Sequence, residues 1–242
     1  MSGAERIVEA AYGSPVYGAW RQEAAGDWQA YTHHAFVEQL GAGTLPREIF
    51  LHYLTQDYIF LFHFARAWAL AVVKSETIAE ARFAASIVDG LMNTEMSLHV
   101  DICGKAGISE AALLAAAEER ENLAYTRFVL DAGMSGDFLD LVAALAPCVM
   151  GYGEIGARLA REGAADTPYR QWVDTYASDD YQGLCASVGE LIETAVRGRL
   201  GDAPAALPRW ASLSKRFRTA TRLEIGFWEM GLRGPTVAPD LT

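Results

Sequence analysis

Apolar residues in this chain recur at steps of three and four over long stretches and almost nowhere alternate one by one. Because an α-helix turns once in 3.6 residues, that spacing gathers them on one helical face and leaves no stripe for a half-buried strand. No Asn-Gly or Asp-Gly pair stands between β-branched runs to turn a hairpin. Glycine, proline and small polar residues punctuate the pattern. Gly41, Gly43 and Pro46 close a first helical region and open a second, which extends to about Lys74. A third runs from Ser75 or Glu76 to Gly104–Gly107, a fourth from Ser109 to Gly133, and a fifth from Ser135 or Asp137 to Glu162–Gly163. Thr167-Pro168 starts a sixth that ends near Gly198–Gly201, and a seventh spans Pro208 to Gly231. Gaps of a few residues join neighbours in a bundle, so the chain is predicted to be all-α, one helical domain over residues 1–242. Gly234-Pro235 and Pro239 cannot continue a helix, so the tail 234–242 is expected to be loose.

Charge and composition exclude several functions. With 31 acidic against 20 basic residues the net charge is −11, the wrong sign for a phosphate-backbone binder. Lys215, Arg216, Arg218 and Arg222 fan over a broad helical face and read as solvated surface. Three cysteines without a CxxC give neither a disulfide framework nor a zinc knuckle. The longest apolar run, near Ala65–Val73, falls short of the roughly 20 residues that span a bilayer. The amino terminus carries Glu5, Arg6 and Glu9 and no apolar signal segment, so the expected location is cytoplasmic.

Polar residues on apolar faces are the informative exceptions. Asp57 interrupts the stripe Phe50, Leu54, Leu61, Phe64, Trp68, where an unpaired carboxylate is costly. Either it pairs with a neighbouring helix or it lines a pocket and accepts hydrogen bonds from a ligand. Glu224 shares a face with Phe217, Thr221 and Phe227; Arg222, two residues away, points elsewhere and cannot be its partner. A carboxyl buried there has a raised pKa suited to acid–base work. Glu95 and His99 share an apolar face too, but without a second copy of the pair they read as a structural contact rather than half a metal site. Cys148 follows Pro147; if the proline restarts the helix, the thiol lies in a first turn that favours the thiolate. A lone buried cysteine is otherwise an inert small hydrophobe, the reading given to Cys103 and Cys185. Tyr125, Tyr152, Tyr176 and Phe227 lie on inward faces, as core packing or as flat partners for a heteroaromatic ring.

Seven short segments in order carry a family resemblance: His34-Ala-Phe, Gly43-Thr-Leu-Pro, Tyr53-Leu-Thr-Gln-Asp-Tyr, Ala124-Tyr-Thr, Pro147-Cys with Gly151-Tyr-Gly-Glu-Ile-Gly, Trp172-Val-Asp-Thr-Tyr-Ala-Ser-Asp, and Glu224-Ile-Gly-Phe-Trp. Together they cover about His34 to Leu232, and the chain resembles the TenA or thiaminase II family of the haem-oxygenase-like helical fold. The resemblance implies a nucleophile at Cys148, a pyrimidine-binding carboxylate at Asp57, an acid–base carboxyl at Glu224, and pocket rings at Tyr125, Tyr152, Tyr176 and Phe227. Where the family usually has a tyrosine, this chain has Phe60, so one pocket hydroxyl is missing.

The implied activity is hydrolysis of 4-amino-5-aminomethyl-2-methylpyrimidine, or of thiamine, in thiamine salvage. It needs no metal or organic cofactor and no nucleic-acid or membrane partner. The alternatives are a relative with oxidase or oxygenase chemistry, or one with another pyrimidine-like substrate. The resemblance also implies a homotetramer, to which surface placement of Trp20, Trp28, Trp68, Trp172, Trp210 or Trp228 would contribute.

Overall fold

The computed structural model describes residues 12–235. Among these, twelve α-helices follow one another and no strand forms, as the periodicity requires. They are α1 (Pro15–Glu23), α2 (Ala25–Thr32), α3 (Ala35–Ala42), α4 (Arg47–Lys74), α5 (Ile78–Gly90), α6 (Met96–Lys105), α7 (Glu110–Ala115), α8 (Arg120–Ser135), α9 (Phe138–Glu162), α10 (Arg170–Ala177), α11 (Asp179–Leu200) and α12 (Pro208–Arg233). A π-helical turn, Leu91–Glu95, joins α5 to α6 without a break. Residues 236–242 of the tail and the first eleven residues, on which the reading of the amino terminus rests, lie outside the described segment.

The second, third, fifth and seventh predicted regions match α4, α5 with α6, α9 and α12 closely. Local chemistry explains the starts. Thr77 and Glu80 form a reciprocal capping box at α5, and Asp137 and Asp140 form another at α9. The remaining regions are subdivided, for reasons that are partly tertiary. The predicted fourth region breaks between α7 and α8, where the Gln56 side chain donates to Ala117 O at 2.9 Å and accepts from Glu119 N at 3.0 Å. Backbone groups freed from the helix thus find partners on α4. The sixth breaks at Ser178, whose Oγ caps α11 by accepting from Tyr181 N at 3.2 Å. The first becomes α1, α2 and α3, the last of them capped by His34 Nδ1.

Helix α9 is the axis of the structure, with α10, α11 and α12 against it and α4 alongside. By length and composition it is apolar enough to cross a membrane, a feature that the search for unbroken apolar runs missed. Yet 89% of its apolar window is buried inside the fold, which marks a core helix. The six tryptophans pack inward as well, Trp210 being the most exposed at 6%. They stabilise the interior and are not available as surface contacts. Arg218 and Arg222 both pair with Asp27, at 2.6 and 3.0 Å, and Arg216 pairs with Asp140, so acids match most of the basic cluster.

Glycines in α9 set the distance to its neighbours. A Cβ at Gly151 would lie 2.1 Å from the Tyr31 ring, and one at Gly156 would lie 2.5 Å from the Tyr176 backbone. The close approach at Gly156 seats α10 and fixes the position of Tyr176. Because that contact is with backbone, a side-chain rotation cannot relieve it. Gly156→Ala is therefore expected to cost about 1–3 kcal/mol of stability in chemical denaturation.

Candidate active site

Cys148, Tyr152 and Asp57 meet at one cavity of about 700 Å³. Asp57 and Leu61 come from α4; Glu95 closes the π turn; Cys148, Val149 and Tyr152 come from α9; Tyr181 and Leu184 come from α11. Cys148 and Tyr152 are four residues apart and share one face of α9.

Asp57 is 2% exposed and accepts two hydrogen bonds on a single oxygen. Tyr53, one turn earlier on α4, donates to Oδ2 at 3.0 Å, and His99 Nε2 lies 2.7 Å from the same atom. The other ring nitrogen, His99 Nδ1, sits 2.9 Å from the backbone carbonyl of Glu95. A carbonyl can only accept, so Nδ1 carries a proton and one further proton is shared between Nε2 and Asp57. Burial depresses the His99 pKa, but the bond to Asp57 and the charges of Asp57 and Glu95 outweigh it, so the net shift is upward. Tyr53 spends its only proton on Asp57; it therefore accepts from Tyr152 at 3.2 Å and from Trp172 Nε1 at 3.3 Å. This connected set leaves Asp57 Oδ1 without a recorded protein partner among the described residues. Both readings of Asp57 hold together: it pairs with a neighbouring helix, and it lines a pocket.

Glu224 stands behind the thiol, one layer from the cavity wall. Tyr125 donates to its Oε1 at 2.7 Å, and the carboxyl also contacts Cys148 and Tyr31. Burial pushes its pKa up, the Tyr125 hydrogen bond opposes this, and the charge of Asp57 adds to the rise, leaving it at about 8.

The expected setting of Cys148 needs correction. Helix α9 passes through Pro147 without interruption, so the thiol lies in mid-helix and gains nothing from an N-terminal dipole. Burial first, then Glu224, Glu95 and Asp57, push its pKa well above the ordinary thiol value. The resting group is a neutral thiol beside a carboxyl that can exchange its proton. Cys103 and Cys185 are free, buried and raised to about 11 and about 12, each chiefly by burial, and neither lines this cavity.

The other residues predicted for the site form a layer behind the wall. Tyr125 holds Glu224, and Tyr176 donates to Glu95 Oε1 at 2.8 Å. Phe60 packs on Tyr125 and Phe227, with centroids 5.0 and 5.4 Å away. The Tyr152 ring lies 4.9 Å from that of Tyr176. Sequence reasoning missed Tyr53, whose position four residues before Asp57 on one helical face was the available signal. It read Glu95 and His99 as a structural contact, and they do meet: His99 Nδ1 lies 2.9 Å from the Glu95 carbonyl, while Nε2 reaches Asp57 and Glu95 lines the cavity.

Comparison with known proteins places the fold and the family. A haem-oxygenase-like domain from Shewanella denitrificans, 12% identical, superposes with a TM-score of 0.66 over 86% of this chain and 88% of its own, which identifies the fold. The chain is thus an all-α protein of haem-oxygenase-like fold. It belongs to the TENA/THI-4/PQQC family, which matches residues 21–234. An aminopyrimidine aminohydrolase from Halalkalibacterium halodurans is 33% identical over 84% of this chain and 89% of its own length. A solved Silicibacter structure, described as a TenA family transcription regulator, is 60% identical with a TM-score of 0.89, covering 90% of this chain and 97% of that one.

The raised pKa of Glu224 has a thermodynamic consequence. Its protonated form is favoured by folding, so its contribution is fully present below the unfolded-state pKa of 4.5 and is lost as pH rises through about 8. Glu224→Gln removes this dependence. Thermal unfolding of the variant is expected to lose less stability than wild type between about pH 5 and pH 9.

Proposed function

We propose that this protein is an aminopyrimidine aminohydrolase that replaces the exocyclic nitrogen of 4-amino-5-aminomethyl-2-methylpyrimidine by hydroxyl, with Cys148 as nucleophile. Its membership of the hydrolases follows from the aminohydrolases among its relatives. The observation that supports the finer reading is the placement of the Cys148 thiol at the cavity wall, electrostatically coupled to the Glu224 carboxyl, with Asp57 in the same wall.

In this reading Asp57 Oδ1 accepts from the exocyclic ring amine, while His99 and Tyr53 hold Oδ2 and prevent rotation. The Cys148 sulfur adds to a ring carbon as its proton passes to ionised Glu224. The displaced π pair delocalises over the ring, and its return expels the exocyclic C–N bond pair onto nitrogen. Water then adds to the exocyclic carbon and gives up a proton that the released amine carries away, the C–S bond breaks, and sulfur recovers its proton from Glu224. The position of Glu224 beside the thiol gives that carboxyl proton exchange with sulfur as its task. Tyr152, whose hydroxyl is committed to Tyr53, offers its ring as a flat wall.

A metal-dependent oxidase receives no support from the donor geometry: among the described residues no three His, Cys, Asp or Glu side chains are grouped to hold an ion.

Incubation with the aminomethylpyrimidine, the formylaminopyrimidine and thiamine, followed by mass spectrometry, tests the reading. The hydroxymethylpyrimidine is expected from the first. Cys148→Ala should lower the rate by at least about a thousandfold while leaving the circular dichroism spectrum intact. Hydrolysis at wild-type rate by that variant would refute covalent catalysis.

A further inference from the structure

Glu95 is the half-buried carboxylate in the cavity that the steps above leave unused. Its side chain keeps access to the cavity space although protein surrounds it. The π turn Leu91–Glu95 contributes Leu91, Thr94 and Glu95 to the cavity wall, and such turns recur at functional sites. Tyr176 fixes Glu95 Oε1 at 2.8 Å, and no protein partner is recorded for Oε2 among the described residues. The other carboxylates have other commitments. Asp57 shares a proton with His99, and Glu224 lies behind the sulfur. Nearer the mouth, Asp101 pairs with Lys105 at 2.6 Å and Asp180 is exposed. The wall thus holds Asp57, Glu95, Asp101 and Asp180, and among the described residues no lysine, arginine or histidine lines it. Such a surface repels phosphate esters and attracts cations.

We infer that Glu95 is the subsite for a cationic nitrogen on the departing group of the substrate, and that its carboxylate afterwards takes the proton of the attacking water. The inference rests on the aminopyrimidine reading and extends it to the charge of the leaving group. The aminomethyl compound enters as an ammonium ion paired with Glu95 Oε2. When the ring pair returns, the C–N bond breaks with both electrons on nitrogen, and ammonia leaves the carbon without needing an added proton. Water forms the new C–O bond, and its proton moves to Glu95. Ammonia collects that proton and departs as ammonium, restoring the carboxylate. Thiamine fits the same subsite, since its departing ring carries a positive nitrogen and is released neutral.

Binding measured by calorimetry in a Cys148→Ala background, where turnover is blocked, tests this directly. The probes are the aminomethylpyrimidine, a cation, and the hydroxymethylpyrimidine, its neutral counterpart of similar size. The Cys148→Ala protein is expected to prefer the cation by at least about tenfold. Adding Glu95→Gln, which preserves the acceptor for Tyr176, should remove most of that preference and change affinity for the neutral compound by less than about threefold. Glu95→Asp keeps the charge one methylene further back and should retain part of the preference, an outcome that a purely structural role would not produce. Binding of both compounds with a ratio unaffected by Glu95→Gln would overturn the inference alone. Binding of neither by the Cys148→Ala protein would overturn it together with the pyrimidine reading.

Discussion

A carboxylate in the middle of a helical bundle must find a counter-charge or stay protonated, and the pairing of Asp57 with His99 meets that constraint here. The two side chains lie 2.7 Å apart on different helices and share a single proton, because the other nitrogen of the histidine is committed to a backbone carbonyl. The link ties α4 to α6 inside the core. Leaving either group alone would strand a buried charge, a loss of about 3–5 kcal/mol in comparable pairs. Because both recorded bonds fall on Oδ2, the same arrangement that stabilises the fold leaves Oδ1 for a ligand. In the proposed reading, structure and binding are served by opposite oxygens of one carboxylate.

From that anchor the rest of the site follows in two layers. Asp57, Glu95, Cys148 and Tyr152 make the wall, and Tyr53, His99, Tyr125, Tyr176 and Glu224 hold them from behind. Each carboxylate receives at least one hydroxyl or imidazole donor, which fixes its direction. Burial first, and then the nearby acids Glu224, Glu95 and Asp57, keep the sulfur protonated at rest. An idle nucleophile of this kind is protected from oxidation, since reactivity follows the thiolate. A ring cation or ammonium entering the cavity offsets the negative field that holds the proton in place. Under the proposed function, substrate and nucleophile are in this way coupled through electrostatics.

Much of this was legible in the amino-acid sequence. Apolar spacing at three and four residues defined the long helices, and Asp57, Cys148 and Glu224 stood out as polar groups on apolar faces. Subdivision of the shorter helices was not legible, because Gln56 makes one break favourable from 61 residues away, by bonding to Ala117. Pro147 misled for a related reason. Proline costs a helix one hydrogen bond and a steric conflict, but a helix packed on several sides can absorb both, and α9 does. Glu95 and His99 were visible as a pair at helical spacing; the reach of His99 Nε2 to Asp57 was not, since that partner lies 42 residues away on another helix. Phe60 was marked as a missing hydroxyl, and the structure places its ring behind the wall against Tyr125 and Phe227.

Covalent catalysis requires the sulfur of residue 148 to bond to the pyrimidine ring during turnover. Rapid acid quench of the enzyme with the aminomethylpyrimidine, followed by peptide mass mapping, examines that bond itself. A mass increment of the pyrimidylmethyl group confined to the peptide carrying Cys148 is the expected result. Turnover accompanied by an adduct on Cys103 or Cys185, with Cys148 unmodified throughout, would contradict it.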